Sequence, residues 1–125
     1  MNPRTIDPRV GSFVAAGAIR VTAAALDIAR AFAEDIKRER PNEDWIITFD
    51  WAFSRRARKT PGGEWQDLGA GLDVTAFRRQ QIPQSAIQQL EGVEIVIKVP
   101  EQMLAQSPDR TIDVDPDNKA RVRFF

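Results

Sequence analysis

Residues 93–99 alternate Val93, Ile95, Ile97 and Val99 against Glu94, Val96 and Lys98, the clearest two-residue period in the chain. It predicts a strand with one apolar face, closed by Pro100, which can open a further helical turn bearing Met103 and Leu104. Residues 45–53 alternate as well, with Trp45, Ile47, Phe49, Trp51 and Phe53 on one face and Ile46, Thr48, Asp50 and Ala52 on the other. Leu72, Val74 and Ala76 mark a third strand, and 111–115 and 120–125 flank the turn signal Pro116-Asp117-Asn118-Lys119. The period changes to helical after Thr22: Ala25, Ile28, Ala29, Phe32 and Ile36 form one stripe, with Arg30, Glu34, Lys37 and Arg38 around it. Thr22 is a suitable N-cap and Pro41 ends the helix.

Between these elements, 54–67 is polar and basic with Pro61, Gly62 and Gly63, and predicts a hairpin loop. The lead-in 68–71 predicts a bulge, and 83–90 a helical turn or two. The fold class expected is α+β: one long N-terminal amphipathic helix packed on a mostly antiparallel, partly rolled β-sheet. Residues 1–18, interrupted by Pro3, Pro8, Gly11 and Gly17, predict an N-terminal arm, and residues 19–125 a single domain.

Composition narrows the chemistry. The chain has 125 residues, 18 basic and 18 acidic side chains, and no cysteine, histidine or tyrosine. Thiolate and imidazole ligands and nucleophiles are therefore excluded, and with them the common zinc and Cys–His constellations. The balanced charge generates no overall field favouring nucleic acid. No apolar run approaches a membrane span, and the N-terminus lacks a basic start leading into an apolar core, so a cytoplasmic location and no membrane contact are expected.

Three segments in order resemble one known family. Ile19-Arg20-Val21-Thr22-Ala23-Ala24-Ala25 is similar to a short strand leading into an alanine-bearing helix; Glu91-Gly92-Val93-Glu94-Ile95-Val96-Ile97 to an acidic-Gly-Val strand; Leu104, Ile112-Asp113-Val114, Val122 and Phe124 to a closing strand pair. Together they resemble the HesB/IscA-like domain, the A-type iron–sulfur carriers, over residues 19–125. The resemblance implies an oligomeric scaffold whose cysteines hold iron or a cluster. The turn Gly69-Ala70-Gly71 is the nearest analogue of the first cysteine position, and it has none. No functional residue carries over, so no cofactor, metal site or catalytic residue is expected.

Four features are candidates for function. Arg55, Arg56, Arg58 and Lys59, flanked by Phe53 and Trp65, form the dense basic cluster and are a possible anion or nucleic-acid contact; a solvated hairpin is the plainer reading. Asp113, Asp115 and Asp117 have calcium-loop spacing, but Asn118 and Phe124 stand where such a loop needs Gly and Glu, so a structural hairpin is expected. Asp50 is expected to be exposed or salt-bridged, opposite the aromatic face. The aromatic stripe Trp45, Phe49, Trp51 and Phe53, joined by Phe124 and Phe125, is either core or an interface, since five large side chains on one strand face exceed what one helix covers. The function expected is a non-catalytic binding or accessory module acting through a protein partner or self-association. A residual role in iron–sulfur cluster assembly through partner thiols or carboxylates, and a small nucleic-acid-binding domain using the 55–59 loop, are the alternatives.

Overall fold

Thr22 starts the helix as its composition predicts: the residue is extended, and its hydroxyl accepts from Ala25 N. The same hydroxyl donates to Asp113 Oδ1 at 2.6 Å, tying the helix start to a distant strand. In the computed structural model, which describes residues 12–58 and 60–125 with backbone alone for Phe53 and Ala120, the helix α1 spans Ala23–Glu39. Lys37 and Arg38 lie in its last turn, where the helix dipole favours cations. The strands are β1 (Ser12–Phe13), β2 (Arg20–Val21), β3 (Trp45–Ala57), β4 (Gln66–Arg78), β5 (Gln88–Leu90), β6 (Val93–Val99), β7 (Thr111–Asp115) and β8 (Asn118–Phe124). A short helix, α2 (Glu101–Ala105), follows β6, and two 3₁₀ turns, Arg79–Gln81 and Gln84–Ala86, separate β4 from β5.

The architecture is mixed α+β, with two helices and sheets of mixed strand orientation among the described residues. One sheet runs β1-β6-β3-β4, with β5 also on β6, and the other runs β2-β7-β8. The expected mostly antiparallel order is modified where it matters most: β3 runs parallel to β6 at the centre of the larger sheet, and β2 runs parallel to β7. Alternation reports which face a residue occupies and carries no information on strand direction. Glu91 and Gly92, with φ of 49° and 81°, make the two-residue turn between β5 and β6 that left-handed backbone allows. Arg30 braces that turn by donating to the Glu91 carbonyl at 3.2 Å.

The main core lies under α1, where Ala25, Leu26 and Ala29 meet Phe49, Ile95, Ile97, Ile112 and Val122. The sheet's other face differs from expectation. Ile46, Thr48 and Val96, on the face opposite the main apolar stripe, are buried, and the segment after β4 folds back so that Ile82 and Ala86 pack with Ile46 and Val96. Phe13, Phe77 and Ile87 pack against this second cluster. Of the expected arm, residues 1–11 lie outside the described residues, whereas Ser12–Phe13 pairs antiparallel with β6 at Val99 and Lys98. Val14 N–H donates to Ile97 O at 2.8 Å, and Val14 and Ile19 are buried in the main core.

The predicted hairpin loop at 54–67 is the tip of the β3–β4 hairpin, and the strands run into it from both sides. β3 continues to Ala57 and β4 begins at Gln66, with register shifts between Ala52 and Arg55 and between Arg55 and Arg56. A polar sequence extends into solvent as a two-stranded ribbon as readily as a loop, since neither face needs to be apolar. Among the described residues, no helix is long and apolar enough to cross a membrane.

Candidate functional site

The aromatic stripe divides into three parts with different surroundings. Phe49 is 0% exposed at the centre of the main core. Trp45, at one end, is bracketed by Arg40 and Arg78, whose guanidinium carbons stand 5.5 and 5.2 Å from its ring centre. Its Nε1 donates to Glu43 Oε2 at 2.8 Å, so it closes a local charged cluster. Trp51 lies at the other end, about 20 Å away along an extended strand. Phe53 belongs to β3 by its backbone, and its side chain lies outside the described residues.

Trp51 meets the C-terminal hairpin. Its ring centre is 6.3 Å from that of Phe124, in a tilted arrangement favourable for aromatic pairs. Phe125 is held in place by its backbone: its N–H donates to Thr111 O at 2.9 Å, and its carbonyl accepts from Asp109 N at 3.1 Å and from the Ser107 hydroxyl. Ser107 is itself buried, which fixes the 106–109 segment as a wall. Trp51, Phe124 and Phe125 with Met103 and Pro108 thus line an open groove of about 430 Å³, within the range of ligand pockets, and Arg123, Asp109 and Gln106 stand at its rim. Arg123 covers one side of Phe125, 5.3 Å from its ring centre. Met103, Pro108 and Arg123 had no distinguishing signal in the sequence; the turn after Pro100 brings the first two there. A second groove, of about 440 Å³, lies between α1, β4 and β8 and involves Phe32 but none of the candidate aromatics.

The basic cluster is dispersed. Arg55 turns back over β4 and donates to four backbone carbonyls. Arg56 points to solvent. Arg58 lies 4.5 Å from the ring centre of Trp65, which is 56% exposed. Lys59 lies outside the described residues.

Asp50 is a correction. It is half-buried, not exposed, and its Oδ1 has no hydrogen-bond partner among the described residues. It pairs across the strands with Asp73 of β4 and Lys98 of β6, so all three share the sheet's second face. Lys98 Nζ stands over the rings of Phe77 and Phe13, at 5.5 and 5.9 Å. Burial raises the Asp50 carboxyl above its ordinary value of 3.8; Lys98 opposes this, Asp73 adds to it, and the Trp51 N–H opposes it. A carboxyl raised in the folded state binds its proton more tightly there, so its ionisation costs stability above the folded value and nothing below 3.8. Relative to Asp50→Asn, the wild type is therefore expected to gain stability as pH falls through that window. Urea titrations of both proteins from pH 7 to about pH 4 check this, and a constant difference overturns it.

The three aspartates of the C-terminal hairpin serve local structure. Asp113 accepts from Thr22 and from Val114 N, and Asp115 accepts from Asp117 N at 2.9 Å. The Thr22 hydroxyl, followed by the Val114 amide, lowers the Asp113 carboxyl below its usual range. Among the described residues, no three acidic side chains are grouped to hold a metal ion. No family model, no curated protein and no solved structure matches this chain.

Proposed function

We propose that this chain is a non-catalytic binding module, a cysteine-free relative of the HesB/IscA-like domain, that takes an apolar side chain of a partner protein into the Trp51–Phe124–Phe125 groove. The convergence of these three aromatics from the two sheets carries the reading. An aromatic pocket with a charged rim has the composition of an interaction hot spot: an apolar centre supplies the affinity and the polar edge the orientation. The family reading rests on the three similar sequence segments. They lie at the β2–α1 junction, at the β5–β6 turn with the start of β6, and at α2 with the β7–β8 pair.

The test is selection of a displayed random-peptide library on the wild type, followed by titration of the selected peptides against Trp51→Ser and Arg123→Glu. Peptides with an aromatic or large aliphatic anchor are expected, weakened about thirtyfold by Trp51→Ser, which corresponds to a hot-spot loss of about 2 kcal/mol. Peptides that bind both proteins equally, or no enrichment, sink the reading. A Trp51→Ser protein that does not fold assigns Trp51 to the core, and Arg123→Glu then decides.

A second reading, a small nucleic-acid-binding domain, has one observation in its favour: the exposed Trp65 beside Arg58, a stacking surface next to a cation. Binding of single-stranded oligonucleotide that weakens steeply with salt and is lost on Arg58→Ala would support it.

A further inference from the structure

We propose that the bulged stretch 68–72 of β4 is a receptor for a guanidinium cation, and that its resident ligand is Arg55 of the same chain. Arg55 Nε donates to Gly69 O at 3.2 Å, Nη1 to Leu72 O at 3.2 Å, and Nη2 to Leu68 O and Ala70 O at 3.3 and 3.2 Å. Four of the five N–H groups of one planar cation are thus taken by backbone carbonyls.

The local sequence builds the cradle. Asp67 accepts from Gly69 N at 2.8 Å, and Gly69 adopts φ 71°, a conformation costly for any residue with a Cβ. The carbonyls of 68, 70 and 72 share one side, as strand alternation gives, and the irregular pairing at Gly69 brings its oxygen to the same cation. Gly71 supplies the floor: a Cβ there would stand 2.5 Å from Arg55 Cζ. Converging carbonyl oxygens repel one another unless a cation sits among them, and a planar, weakly hydrated guanidinium suits this arrangement better than a strongly hydrated point charge. The site makes Arg55 an internal ligand, whereas Arg56 and Arg58, the other described members of the cluster, are exposed.

Vacating the site should create a protein that binds free guanidinium. Thermal unfolding of wild type and Arg55→Ala is measured with guanidinium chloride or sodium chloride at about 20 mM, far below denaturing levels. Guanidinium, and not sodium, is expected to raise the midpoint of Arg55→Ala by about 3 °C, and to leave the wild type unmoved or slightly lowered. Equal responses of the two proteins overturn the proposal. Where Arg55→Ala does not fold alone, recovery of its native circular dichroism with guanidinium but not sodium supports the site, and failure with both overturns it. Gly71→Ala gives an independent reading: it should lower the midpoint of the wild type by displacing the cation and lower that of Arg55→Ala far less. The same loss in both backgrounds would falsify the proposal.

Discussion

Val96→Asp is expected to cost about 4 kcal/mol or more, a large part of the total in domains of this size, which have about 5–15 kcal/mol. Val96 is 0% exposed and packs in the second cluster with Ile46, Ile82 and Ala86. An aspartate there must either ionise without a partner or take up a proton, and both options lose the packing of the valine. The substitution separates two pictures of the sheet. If the face shared with Glu94 and Lys98 were open to water, as alternation alone suggests, aspartate would be tolerated within about 0.5 kcal/mol. Far-UV circular dichroism and urea unfolding distinguish these outcomes directly.

Phe49→Ala is the second large effect, with an expected loss of about 3–5 kcal/mol. Phe49 lies on the central strand, pairs with Val74 on one side and Ile97 on the other, and is sealed beneath α1. Removing its ring leaves a cavity that neighbouring strands, held by their ladders, fill only in part. Trp51, two residues along the same face, should behave differently: it stands at the edge of the core, so Trp51→Ser should act mainly on binding. A loss at Phe49 below about 1.5 kcal/mol in urea titrations, the size of a tolerated core swap, would mean that the strand register is wrong.

These contrasts show which parts of the molecule were legible without coordinates. The helix over 23–39 was, because its stripe, its Thr22 cap and the Pro41 stop are local and agree. The strands at 93–99 and 111–115 were readable for the same reason, and so was the bulge around Gly69 and Gly71. The hairpin at 54–67 was legible from its Pro61, Gly62 and Gly63, but not how far β3 and β4 run into it, because a polar ribbon has no apolar period to mark its ends.

The site was only partly legible. Trp51, Phe124 and Phe125 were picked out as aromatics on strand faces, but so were Trp45 and Phe49, and nothing local distinguishes an aromatic in a core from one beside a groove. Arg55 was grouped with three other basic residues by proximity in the chain, although its guanidinium belongs to carbonyls 13–17 positions away.

By itself the amino-acid sequence determined the long helix, the main strands and their faces, and the absence of thiolate and imidazole chemistry, because these follow from side-chain type and short periods. The short strands β1 and β5 did not show in it. Only the tertiary structure decided that β3 and β6 run parallel, that a returning segment covers the second face, that Asp50 is half-buried beside Asp73 and Lys98, and that residues 51, 103, 108 and 125 meet. Each of these depends on which distant segments come together, and that is settled by the free energy of burying the whole apolar surface at once, which no local window contains.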